Sequence, residues 1–401
     1  MHFWNMSPRK QTRRKVLAAT GAATLTSLTG CIGDIIDGSH RVYNQDAPFG
    51  DVTGAWPTYQ HDFANTGFTT DSGPSSDATL SRVVELDNAA FGTAVTLIDG
   101  RGIVGYSGGS SEDGEYRSFT LDSSSGSWTV DYKLGKSTPT IAGNAVFVST
   151  AEFVAAYDVR NGKLCWRADD GGSGVAENAP ILAEGTLLDY TTSTVNGRDP
   201  ATGEKRWQYG VGDSLVPPVT RDGTAYTATE TGAAAFDPKS GEEVWRQADL
   251  PESSAPLAVG DNHLYYSAKG EDLYALSLDD GASQWQASIP LSERGSHYTA
   301  ISDGTLHVQS ADGVVAAFDA VDGSKKYIKQ LEADLRQRPP VVADDTRFSL
   351  GDETLYAFDV ETGDIQWSLP LDTEPVSGGV PSIRGEELYF VSNSHLLRVS
   401  N

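Results

Sequence analysis

A glycine that closes an acidic turn and is followed by an aromatic residue recurs seven times along this chain, and no other feature narrows its folding options as much. The glycines are Gly126, Gly162, Gly203, Gly241, Gly281, Gly323 and Gly363, at intervals of 36, 41, 38, 40, 42 and 40 residues. A period of that size marks stacked supersecondary units, each too small to bury its own apolar face. Four residues before the glycine stands an aspartate, at Asp122, Asp158, Asp199, Asp237, Asp319 and Asp359, with Ser277 as the exception. A carboxylate there bonds its own downstream backbone and holds a tight turn. Four residues after the glycine come Trp166, Trp207, Trp245, Trp285, Tyr327 and Trp367. The first unit carries Val130 at that place, with Trp128 displaced, and reads as the degenerate copy.

Ahead of each aspartate a small residue commonly precedes a bulky one, as in Ala156-Tyr157, Ala235-Phe236, Ala317-Phe318 and Ala357-Phe358, within runs that alternate like half-buried strands. Farther upstream lie β-rich runs at 145–149, 224–228, 263–267 and 387–392, each preceded by a tight turn and a short run often headed by proline, as at Pro139, Pro180, Pro256, Pro340 and Pro381. Four short strands in about forty residues predict an all-β propeller of four-stranded antiparallel blades, packed radially so that neighbours bury each other's faces. After Trp367 enough chain remains for three more strands, and the run 80–86 supplies a fourth. Eight blades are therefore expected, the last completed by an N-terminal strand, with seven as the fallback. Closure of this kind removes exposed strand edges.

These units resemble the PQQ repeat, whose pattern is an Ala-aromatic-Asp strand end, an Asp-x-x-x-Gly turn and a tryptophan docked between neighbouring blades. The stretch with Trp56-Pro57, Asp62 and Thr66-Gly67 is similar to the one that commonly precedes the first blade in that family, so the resemblance covers nearly everything from Trp56 onward. It implies a structural role for Trp166, Trp207, Trp245, Trp285, Tyr327 and Trp367 as wedges between blades, with the indole N–H finding a backbone acceptor. For function it is unspecific, because the family includes quinoprotein dehydrogenases and also BamB-like lipoproteins without a cofactor. The dehydrogenases use an aspartate base, a calcium held by Glu and Asn, and usually a disulfide between adjacent cysteines. This chain has no adjacent cysteines, is shorter, and contains no segment matching those contacts. No catalytic residue is assigned, and PQQ with calcium is left without support.

Residues 1–30 have the layout of an export signal, 31–54 that of a flexible tether, and 55–401 form the propeller. Arg9, Lys10, Arg13, Arg14 and Lys15 precede an apolar run at 16–28 that is too short to span a bilayer. The pair Arg13-Arg14 resembles a twin-arginine signal. Leu28-Thr29-Gly30-Cys31 resembles a lipobox, so Cys31 is expected to carry lipid and hold the protein on the extracytoplasmic face of the cell membrane. Cys165, beside Trp166, reads as a small buried apolar residue, with no disulfide framework and no cysteine metal site. The formal net charge is −25, and because the leader holds five bases and no acids, the remainder carries −30. Nucleic-acid binding is excluded on that ground. Scattered acids and more arginine than lysine resemble the surfaces of extreme halophiles, of haloarchaeal type, with a merely acidic secreted protein as the alternative; low salt is expected to unfold or swell a halophile's protein.

Other chemistry finds no foothold in the sequence. The seven histidines include no metal-spaced pair, and there is neither a nucleophile elbow nor a phosphate loop. His263 and His307 lie in strand runs and read as packed residues. The acidic turns lack an EF-hand ligand series. What remains is a binding surface on the irregular face, formed by 169–179, 290–299, 332–340 and the insert 107–117, since propeller function sits on variable loops held by a rigid frame. Arg294, His297, Arg336 and Arg338 form a positive cluster with Tyr298 as an aromatic contact, and are expected to bind an acidic or extended peptide near the channel mouth. The alternative is that these arginines only offset nearby carboxylates. The functional expectation is a lipid-anchored, non-catalytic scaffold for protein binding or assembly, with a PQQ-dependent dehydrogenase and an extracellular ligand sensor as alternatives.

Overall fold

The computed structural model describes residues 56–401 apart from 87–88, 99, 109–112, 122–126, 134–136, 171–178, 192, 213–215, 254, 271, 291–295 and 376–378. The expected leader and tether, with Arg13, Arg14 and Cys31, fall outside the described residues. Eight antiparallel blades stand around a central axis, as the repeat predicts. Their innermost strands are Thr96–Ile98, Thr140–Ala142, Ile181–Ala183, Val219–Arg221, Ala258–Val259, His297–Ser302, Val341–Ala343 and Ser382–Arg384. The last of these packs against the first, which closes the ring. Blade eight takes three strands from Ser382–Arg384, Glu387–Val391 and His395–Ser400, and its outer strand is Thr79–Glu85, antiparallel to His395–Ser400. The closing strand anticipated at 80–86 is thus displaced by one residue. Two additions were not anticipated: Phe91–Gly92 extends the inner edge of blade one, and Phe68–Thr69 lies parallel to Val341–Ala343 in blade seven.

The local chemistry of each blade explains its geometry. Between the first and second strands, Asp222 and Gly223 both have positive φ, 49° and 80°, the mirror-image turn that suits the twist of adjacent strands. Between the third and fourth strands the aspartate does what its position predicts: Asp237 Oδ1 accepts from the N–H of Lys239 at 2.7 Å and of Ser240 at 3.0 Å, and Asp359 Oδ1 does the same for Glu361 and Thr362. In blades two to seven the pairing of these strands slips by one residue just after the aromatic's partner, for example between Ala235 and Phe236. The skipped residue in blade four, Val244, is 59% exposed while Trp245 beside it is buried. A bulge of this kind re-aims the aromatic ring out of its own sheet.

In blades two to six the re-aimed ring lands on the turn glycine of the next blade. A Cβ at Gly241 would stand 2.6 Å from the Trp207 ring, and one at Gly281 2.6 Å from Trp245, so only glycine fits. The indole N–H of Trp166 donates to Pro200 O at 2.9 Å, Trp207 to Pro238 O at 3.1 Å and Trp245 to Leu278 O at 2.8 Å. Trp285 and Tyr327 lie on Gly323 and Gly363 in the same manner. Blade one corrects the sequence reading of a degenerate copy. Trp128 pairs with Ser118 without a bulge, packs on Gly162 and donates to Val159 O at 2.9 Å. Ten residues separate Ser118 from Trp128, as they separate Ala156 from Trp166, so the ring stands at the same place in its blade. A second correction concerns Cys165, which is buried but is disulfide-bonded, with a partner outside the described residues.

Candidate functional site

Residues 56–73 form a hub segment that crosses one end of the ring and bonds to the inner strands of nearly every blade. Trp56 exchanges both backbone bonds with Leu97 of blade one, each 2.8 Å, and Ile141 N of blade two donates to Pro57 O. Thr220, Val259, Ile301 and Val342, from blades four to seven, donate in turn to the carbonyls of Phe63, Ala64, Thr66 and Gly67. Gly385 of blade eight donates to Asp71 Oδ2 at 2.8 Å. Phe63 packs on the apolar clusters of blades two to four, which covers blade three. The segment holds its knot through Asp62, whose carboxylate accepts from the N–H of Ala64 and Thr66 and from the Thr66 hydroxyl at 2.6 Å. Gly67, at φ 63°, is hemmed in by Ala300 and Pro340. Trp56, Asp62, Thr66 and Gly67, which the sequence marks as a family-like stretch, are therefore the parts of a hub lock on the face that also carries the regular turns.

Beside this lock, a cleft of about 570 Å³ opens between Asp62, Thr66 and the turns of blades five and six at Asp261 and Asp303. A second cleft, of about 450 Å³, lies at the seam between blades eight and one. Neither had a signature in the sequence, because each is built from single residues of several repeats.

On the opposite face the five residues chosen from sequence fall in different settings. Arg294 lies outside the described residues. Arg336, partly exposed on the connection from blade six to seven, pairs with Asp352 at 2.9 Å and Glu374 at 3.6 Å. Arg338 is buried, and its guanidinium donates to Gly379 O on the next connection. His297 is fully buried, and desolvation lowers its pKa from 6.5 to about 4, against the opposing pull of Asp312. Tyr298 is half-buried in the same strand. Arg336 and Tyr298 are thus partly exposed, whereas Arg338 and His297 are buried.

Three buried charged or titratable groups had no signal beyond a polar letter in a strand. Arg198, where other blades carry an aromatic or leucine, is bound to Asp189 inside blade three and reaches Asp170 at 2.7 Å. Arg347 is buried between blades six and seven, donating to Val308 O at 3.1 Å and Gln309 Oε1 at 3.0 Å. His307, bonded to the Ser302 hydroxyl at 2.9 Å, is pushed well below its ordinary pKa by burial and by Arg347. All three are inter-strand or inter-blade ties. Among the described residues no three His, Cys, Asp or Glu side chains are grouped to hold a metal.

With this geometry in view, the family model of the outer membrane protein assembly factor BamB matches residues 73–215 and 229–397. The chain belongs to that family. The solved structure of BamB from Moraxella catarrhalis is similar over 80% of this chain and 97% of its own, with 18% identity and a TM-score of 0.64. A quinohemoprotein alcohol dehydrogenase from Comamonas testosteroni is similar over 86% of this chain and 80% of its own, with 12% identity and a TM-score of 0.68. At these identities the likeness is one of fold. Part of the serine/threonine-protein kinase AfsK of Streptomyces coelicolor is 28% identical over 128 residues, which span 31% of this chain and 16% of the kinase.

Proposed function

We propose that this BamB-family propeller is a lipid-anchored, extracytoplasmic scaffold that binds a protein partner on its irregular loop face and carries out no chemistry of its own. The observation that carries this reading is the hub lock. Residues 56–73 occupy one end of the axis through bonds to seven blades, which leaves the loop face as the approach to the centre. A frame tied at its hub and wedged at its seams supports the scaffold reading, because it presents loops without having to move. Arg336 and Tyr298 are the contact residues in this proposal, while Arg338 and His297 hold the loops that carry them.

The anchor is a separate part of the proposal. Membrane fractionation of the unaltered protein beside Cys31→Ser tests this. Membrane association is expected and is lost in Cys31→Ser; an unaltered chain that stays out of the membrane fraction contradicts the anchor. For the binding face, crosslinking in cells is compared between the unaltered protein and the double variant Tyr298→Ala, Arg336→Gln. A partner lost in the variant, with unchanged folding, supports the face, and an unchanged partner set refutes it. Addition of quinone with calcium is expected to give neither bound-quinone absorbance nor dye reduction.

A further inference from the structure

Seven of the fourth strands in the ring bear an aromatic residue at the equivalent position, six of them lying on the turn glycine of the next blade, and the eighth does not. The pairing pattern fixes the equivalent position. In blade seven the chain of partners runs Val341, Phe348, Ala357, Trp367; in blade eight it runs Ser382, Tyr389, Arg398, Ser81. Ser81 therefore stands where the ring should be, and Arg398 where the others have a small residue. The wedge between blades eight and one is left as the cleft of about 450 Å³, within the range of roughly 300–1,000 Å³ common for ligand sites.

Its lining has a definite chemistry. Val83, Val84, Phe119 and Leu121 supply an apolar wall, and Arg82, Arg117 and Arg398 line the rest with Glu85, Thr120 and Ser127. Three guanidinium groups converge on one cleft in a chain with a net charge of −25. Their present bonds are exchangeable at the surface. Arg82 pairs with Asp372 at 2.9 Å, both 56% exposed; such a pair contributes little and yields readily to a better-placed carboxylate. Arg398 reaches Glu387 at 3.2 Å and the Ser81 hydroxyl at 3.4 Å, and Arg117 donates to Glu85 O at 3.0 Å. An aromatic ring suits a cleft with this apolar wall, and it gains further from the guanidinium faces.

We propose that the seam between blades eight and one binds an extended peptide that presents an aromatic side chain next to a carboxylate, the ring filling the vacant wedge and the carboxylate meeting Arg82 and Arg398. This site lies apart from the loop face of the preceding reading and does not depend on it.

The test uses the full chain at a salt concentration that keeps it folded, with a fluorescein-labelled peptide holding one tryptophan between two aspartates. Saturable binding is expected by anisotropy, weakened at least about tenfold when alanine replaces the peptide's tryptophan and again in the Arg82→Gln, Arg398→Gln double variant. The sharpest arm is Ser81→Trp, which fills the wedge from within: it is expected to abolish binding and to raise the melting temperature. Binding to a folded Ser81→Trp protein as tight as to the unaltered one overturns the proposal, as does equal affinity for the alanine peptide or no saturable binding. If Ser81→Trp does not fold, the alanine peptide and the arginine variant decide the matter.

Discussion

Six seams of the ring are closed by a ring on a glycine, whereas the seam between blades eight and one is closed by the chain's own topology, by apolar packing and by a reversed bond. Where Trp245 sends its N–H forward to Leu278 O, Arg117 of blade one sends a guanidinium N–H back to Glu85 O. Both reach a main-chain carbonyl across a seam, but only the tryptophan also fills the space. Uniform seams make the ring rigid; the exceptional seam sets arginines beside its apolar packing where the others have an aromatic on a glycine. Blade eight compensates through main-chain hydrogen bonds, pairing Thr79–Glu85 from the start of the propeller with its last strand, His395–Ser400, in one sheet.

The largest effect should come from removing a ring. Trp245→Ala is expected to cost about 3 to 5 kcal/mol, while Ser81→Ala at the equivalent place should change stability by no more than about 0.5 kcal/mol. Chemical denaturation of both variants measures the difference, and similar losses would erase the distinction between the seams.

Acid should separate the same regions. Blade six holds His297 and His307 buried, whereas His395 of blade eight is half-exposed. Burial sets His297 at about 4 in the folded protein, against 6.5 when exposed. The unfolded chain therefore binds the extra proton, so stability is full above pH 6.5 and falls as the pH drops from there towards 4. The loss for this one residue is on the order of 3 kcal/mol. Melting temperature against pH should show that slope, and His297→Gln should flatten it; an unaltered slope would clear His297 of responsibility.

A smaller effect is expected from Arg117→Ala, which removes the reversed bond at a partly exposed site and should cost about 1 kcal/mol. Thermal melting of this variant sharpens the comparison, since a loss as large as that of Trp245→Ala would mean that the arginine, and not the shared sheet, holds the seam.

The blades could be read from sequence because the same physical demand is repeated: Asp237 and Asp359 must cap their turns, and Gly241 and Gly281 must leave room for a ring. Trp128 was misjudged because its register without a bulge is visible only when strands are paired. The hub lock was half legible. Asp62 and Gly67 carry turn chemistry, but the bonds from Thr220, Val259, Ile301 and Val342 are main chain to main chain and leave no mark on residue choice. The loop cluster shows the same limit in another form. Nothing in the letters 336 to 338 tells that Arg338 turns inward to Gly379 while Arg336 meets Asp352 and Glu374 from two other segments. Contacts made once, between distant parts of the chain, have no period to betray them.

Hydrogen exchange on the unaltered protein tests the contrast between the seams most directly. The outer strand of blade eight, Thr79–Glu85, is compared with the outer strand of a docked blade, Glu243–Gln247. Thr79–Glu85 and its partner His395–Ser400 should open at a lower free energy than Glu243–Gln247, as the first unit of the ring to come apart. Equal protection of the two outer strands, or earlier exchange in Glu243–Gln247, would contradict the claim that the ring on glycine is what holds this propeller's blades together.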